Sequence, residues 1–221
     1  MFYILTSTET ILNVDVRVQE NRIGDSNVEG VLNLKLKKKL TTESFIEQQS
    51  YLTASATAAY VSFNKLEQRH RFRASVNLLA CNNETYNFTQ GSSSSGLGYA
   101  LACFDAWWRI NLLKKGSFAH PVFATGEVLT SGHIKAIGHI VEKLESTYKY
   151  VEENQDTISS FYLCYPQEND KDIPEALRKR LESLGGIFIP SERLQHTLGQ
   201  LLGDAYDGDP LGRWQPFKGL K

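Results

Sequence analysis

The chain has 221 residues, 41% hydrophobic and 11% aromatic, enough for one domain with a sizeable core and too aromatic for a disordered chain. Lys and Arg number 24 against 25 Asp and Glu, a net charge of −1, so bulk electrostatics point to neither nucleic acid nor an anionic membrane as a partner. No stretch approaches the roughly 18 uninterrupted apolar residues of a spanning helix. The opening Met1-Phe-Tyr-Ile-Leu-Thr has no basic segment, so a secretory signal is not expected, and the Asn83 and Asn87 acceptor patterns then carry no weight. Cys81, Cys103 and Cys164 are odd in number and widely spaced. They suit a reduced cytoplasm rather than a disulfide framework or a CxxC metal site. The five histidines form no HExxH motif, so neither metal nor cofactor is expected.

Residues 1–40 read as strands. Val14-Asp-Val-Arg-Val and Val31-Leu-Asn-Leu-Lys-Leu alternate at period two, with Gly24 and Gly30 as punctuation and Lys37-Lys-Lys as a solvated strand end. Thr42 to about His70 has helical spacing, with Phe45, Leu52, Ala56, Ala59, Phe63 and Leu66 along one stripe. Phe72 to Ala80 is a strand. Gly91-Ser-Ser-Ser-Ser-Gly-Leu-Gly98 is a small-residue loop that runs into an apolar helix, Tyr99 to Trp108. That context makes core burial the expectation for at least one of Trp107 and Trp108. Pro121 to Thr130 reads as one strand, Ser131-Gly132 as a turn and His133 to Ile137 as its hairpin partner. Ile140 to about Glu153 is a helix with Ile140, Leu144 and Tyr148 on one side. Ser159 to Tyr165 is a short buried strand, and Pro174 to Leu184 a helix that begins near its proline and ends at Gly185-Gly186. Ile187-Phe-Ile is a strand, and Ser191 to Leu202 the last helix. The Gly, Asp and Pro-rich residues 203–221 read as a coil tail anchored by Trp214 and Phe217, and Asp204-Ala-Tyr-Asp-Gly-Asp lacks the further ligands of a calcium loop. Strands and helices alternating over one core give an α/β or α+β domain over 1–202, with 203–221 packed on it.

A Gly/Ser loop at a helix start offers backbone N–H groups to an anion, either a phosphate or the oxyanion of acyl transfer. A hydroxyl there can also be a nucleophile, although a lone loop of this kind is more often a plain flexible or helix-capping one. A serine nucleophile needs a base, and a lysine supplies one when burial disfavours its ammonium form. Lys143 follows Ile140 by three positions and so emerges beside the apolar face of its helix. On spacing alone an exposed lysine beside Glu142 is the better reading.

The stretch Ala124-Thr-Gly-Glu-Val-Leu-Thr-Ser-Gly-His-Ile-Lys-Ala-Ile-Gly-His-Ile-Val-Glu-Lys-Leu resembles the hairpin and helix of the Lon protease proteolytic domain. Ser93-Ser94-Ser95-Gly96 fits that family's Pro-Ser-Ala-Gly helix start. Leu163-Cys-Tyr-Pro-Gln-Glu-Asn-Asp-Lys-Asp-Ile-Pro and Ile187-Phe-Ile-Pro-Ser-Glu-Arg-Leu resemble its later strands and helix starts. The resemblance covers about residues 28–202 and is strongest over 124–144. It implies the ribosomal protein S5 domain 2-like α/β fold. It also implies a Ser-Lys dyad, with Ser94 as nucleophile, Lys143 as general base, Thr125 holding the amine, Glu127 beside it, and Ser95 and Gly96 completing the loop. Lys143 is then expected to be buried, within hydrogen-bond reach of both Ser94 and Thr125.

Several departures accompany the match. Gly91, Ser92 and Ser93 stand where the family has an acidic loop ending in proline, and His139 replaces a glycine. Four consecutive serines leave the register open by one, to Ser95 or Ser93. Lys114-Lys-Gly-Ser lengthens the spacing to the lysine. No GxxxxGK[ST] sequence occurs in these 221 residues. The implied function is an ATP-independent serine endopeptidase of the cytoplasm, acting on unfolded or partner-delivered polypeptide, with a homo-oligomer or delivery partner possible. The alternative is a degenerate Lon-like module that binds peptide or a partner without cutting. A small-molecule kinase of the galactokinase–homoserine kinase–mevalonate kinase type fits less well. Its Gly-Leu-Gly-Ser-Ser loop runs in reverse here as Ser94-Ser-Gly-Leu-Gly, and the Thr-Gly-Glu hairpin is foreign to it.

Overall fold

The structure is a computed structural model that describes residues 1–5, 11–21, 33–34, 71–80, 93–111, 118–129 and 131–202. The helix read over 42–70, the 203–221 tail, most of the 31–36 strand, and the side chains of Trp107 and Trp108 lie outside what is described.

The strands are β1 (Phe2–Leu5), β2 (Ile11–Asn21), β3 (Asn33–Leu34), β4 (Arg71–Ala80), β5 (Val122–Ala124), β6 (Glu127–Val128), β7 (Ile134–Lys135), β8 (Phe161–Pro166) and β9 (Gly186–Ser191). The helices are α1 (Gly96–Asn111), α2 (Ile140–Glu153), α3 (Glu175–Ser183) and α4 (Leu194–Leu202), with 3-10 turns at Ser93–Ser95 and Gln167–Asp172. Seven strands form one sheet in the order β3-β4-β2-β1-β5-β8-β9, and β6 pairs with β7 as a separate hairpin. β2 runs antiparallel to both β1 and β4, whereas β1, β5, β8 and β9 run parallel to one another and β3 runs parallel to β4. This is a mixed α/β architecture with a mostly parallel sheet. Among the described residues no helix is long and apolar enough to cross a membrane.

Alternation along the central strands sorts side chains onto the two sheet faces. Phe2, Ile4, Val122, Ala124 and Cys164 pack with α1 and α4. Tyr3, Leu5, Phe123, Phe161, Leu163 and Tyr165 pack with α2 and α3. Both faces are therefore apolar, which is why these strands read as continuous hydrophobic runs. The layers are α1/α4, sheet, and α2/α3.

Two differences from the sequence reading bear on the site. The helix after the serine loop begins at Gly96 rather than Tyr99, and Gly98 lies inside it. A Cβ on Gly98 would stand 2.6 Å from Ile4 Cγ1, so this glycine lets α1 approach β1 closely. The strand read over 121–130 is two strands in two sheets. Thr125-Gly126 breaks it, and Gly126 takes φ 152°, a conformation that side chains rarely adopt.

Candidate active site

β5 ends at Ala124, and the next two residues leave the sheet. The Thr125 N–H still donates to the Cys164 carbonyl on β8, at 3.0 Å, which keeps Thr125 at the carboxyl end of the parallel strands. Ligand sites on open parallel sheets gather at that end. The freed backbone of Gly126 then holds the serine turn twice. Its N–H donates to the Ser94 carbonyl at 2.6 Å, and its carbonyl accepts from the Leu97 N–H at 2.8 Å. One of the unpaired amides at the start of α1 is thereby satisfied from the end of β5.

From the opposite face, α2 brings Lys143 in its first turn. Its N-terminus is set by His139, which takes the left-handed conformation at φ 60° and ψ 35°, and the Lys143 N–H donates to the His139 carbonyl at 3.1 Å. Lys143 Nζ lies 2.8 Å from Ser94 Oγ and 3.0 Å from Thr125 Oγ1. Ser94 is 5% exposed, Lys143 3% and Thr125 0%. An amine buried to this extent is held by its hydrogen bonds rather than by water. The Thr125 hydroxyl donates to the Ser94 carbonyl at 3.3 Å, so its lone pairs face the amine.

Ser94 and Lys143, though not the buried Thr125, border a cleft of about 230 Å³ whose other lining residues are Ser93, Glu127 and the segment Ala136 to His139. Glu127 sits on its wall, half-buried. Its carboxylate is 4.0 Å from Lys135 Nζ, directly across the β6–β7 ladder, so the ion pair it makes here is with Lys135. Ser95 is buried within the 3-10 turn, and Gly96 opens α1. Among the described residues no cluster of His, Cys, Asp and Glu is arranged to hold a metal.

Serine, threonine and lysine thus come from three elements on both sides of the sheet. Such an arrangement can move a proton between hydroxyl and amine beside a cleft. The cleft wall at Ala136, Ile137 and Gly138, and Asn169 behind it, lie inside the stretches that carry the resemblance, but the sequence reading gave them no role at the site. They are a short apolar stretch and a turn asparagine, and only their packing gives them a place at the site. No protein-family model matches the chain, and no curated protein matches it.

Proposed function

We propose that this chain is a Lon-like serine endopeptidase that works without ATP on unfolded or partner-delivered polypeptide in the cytoplasm. The observation that carries the reading is the buried 2.8 Å approach of Lys143 Nζ to Ser94 Oγ at the mouth of a cleft. The finer fold assignment, the S5 domain 2-like fold, is supported by the mixed sheet and by a serine turn, Thr-Gly step and lysine helix that follow the Lon order.

In the proposed mechanism Lys143 acts as the neutral amine. It donates one N–H to Thr125 Oγ1 and turns its lone pair to the Ser94 hydroxyl. Ser94 Oγ adds to the scissile carbonyl while its proton passes to Nζ. Backbone N–H groups of the 93–96 turn receive the oxyanion. The ammonium returns its proton to the leaving amine as the C–N bond breaks, which leaves an acyl ester on Ser94. Water, deprotonated by Lys143, hydrolyses that ester and restores the serine.

The replacement of the family's acidic loop by Gly91-Ser92-Ser93 favours the second reading, a peptide-binding module without turnover. A serine-directed fluorophosphonate or peptide boronate, combined with digestion of a peptide library with and without ATP, separates the two. The expected result is labelling at Ser94 and cleavage of unstructured peptides at a rate independent of ATP. Ser94→Ala and Lys143→Ala should each lower turnover by at least about 10³-fold, and the double variant should cost little more, because either loss disables the same unit. Equal cleavage by wild type and Lys143→Ala overturns the dyad.

A further inference from the structure

Asn169 lies 32 residues from the cleft wall in sequence and is 5% exposed. Its side-chain amide grips the Ile137 backbone in both directions. The Ile137 N–H donates to Asn169 Oδ1 at 3.0 Å, and Asn169 Nδ2 donates to the Ile137 carbonyl at 3.1 Å. The second Nδ2 proton goes to Asp172 Oδ2 at 3.1 Å. A carboxylate can only accept, so Asp172 fixes which end of the amide is nitrogen. The clamp therefore has one orientation.

Ile137 is followed by Gly138 and His139, both exposed, and then by α2 with Lys143. A Cβ on Gly138 would meet nothing within 4 Å, so packing does not hold this step. The two hydrogen bonds from Asn169 tie the cleft wall to the turn after β8 just before the chain enters the lysine helix. We infer that Asn169, oriented by Asp172, is a positioning residue that sets the entry of α2 and so the approach of Lys143 to Ser94. This rests on the protease reading and deepens it.

The test uses Asn169→Ala and the near-isosteric Asn169→Asp, which keeps an acceptor for Ile137 but loses both donors. The readouts are thermal stability, kcat and KM on an unstructured peptide, and titration of Lys143 followed through its Cε NMR signal. A misplaced reacting group costs up to about 100-fold in rate. Expected is a fall in kcat of about 10- to 100-fold per folded molecule with KM little changed, together with a moved Lys143 titration midpoint. Unchanged kcat and an unchanged Lys143 titration in folded variants overturn the clamp, even if stability falls. A wild-type protein that neither turns over nor labels at Ser94 defeats the protease reading instead. The Lys143 titration then still decides whether Asn169 positions the amine.

Discussion

Thr125 has no ionisable group, yet it decides what the lysine can do. Its hydroxyl proton is committed to the Ser94 carbonyl, so toward Lys143 it can only accept. In the proposed mechanism that occupies an amine N–H and leaves the lone pair for Ser94. Thr125→Val keeps the shape and removes both contacts. One such buried hydrogen bond is worth about 1–2 kcal/mol, so kcat on an unstructured peptide should fall by about 5- to 30-fold. Thr125→Ser, which keeps the hydroxyl, should retain most of the rate. The wild-type rate should rise with pH, because only the neutral amine accepts the Ser94 proton. A pH–rate series should lose that ascending limb in Lys143→Ala.

At the scale of elements, the turn after β8 and the start of α3 are joined by a charged cluster. Asp170 accepts from the Tyr165 hydroxyl and, at 2.7 Å, from Arg178 Nη2, and the Arg178 guanidinium lies 4.5 Å from the Phe188 ring centroid. Burial pushes the Asp170 carboxyl up. The hydrogen bonds from Tyr165 and Arg178 and the Arg178 charge outweigh it and hold the carboxyl below its ordinary value. Burial likewise raises the Tyr165 hydroxyl, and its bond to Asp170 adds to that. A carboxyl that titrates lower in the folded chain contributes stability above its unfolded value of about 3.9, and the contribution is lost as pH falls through the folded value. Asp170 is 45% exposed, so solvent screens the pair. Asp170→Asn should cost about 0.5–1 kcal/mol at neutral pH in urea unfolding. The variant should also lose part of the stability drop seen as pH falls below the ordinary carboxyl value of about 3.9, where the wild-type carboxyl takes up its proton.

Across the whole molecule, β5 is the strand on which both layers depend. Phe123 is fully buried, stacks on Tyr3 at 4.5 Å and meets Phe161 edge to face at 5.5 Å, whereas its neighbours Val122 and Ala124 pack toward α1. Two residues later, just past the end of the same strand, stands Thr125. Phe123→Ala should lose about 3–5 kcal/mol in denaturant unfolding, since it leaves a cavity that the flanking rings cannot fill. Labelling of Ser94 should then fall in proportion to the unfolded fraction. A larger loss in molecules that remain folded would show that the strand end has also moved.

The sequence by itself determined what local rules govern. The helix over 140–153 has the ends read from its apolar spacing, and the turn at Ser131-Gly132 joins β6 to β7. Pro174 and Gly185-Gly186 bracket α3. The candidate residues Ser94, Thr125 and Lys143 were named through the likeness of 124–144 to the Lon proteolytic domain, whereas helical spacing alone favoured an exposed Lys143. Tertiary structure alone decided the rest. The strand after Pro121 breaks because Gly126 must turn back to hold the serine turn, and no local pattern records that partner. Among four consecutive serines, the approach of α1 to β1 through Gly98 and the two bonds from Gly126 place the Ser94 hydroxyl against the amine. Cross-strand register draws the Glu127 carboxylate toward Lys135. The burial of Lys143, which its helical spacing alone did not favour, follows from three elements meeting at the end of β5. Spacing along one helix fixes only the direction a side chain leaves it, whereas the other elements fix whether that direction ends in water or in protein.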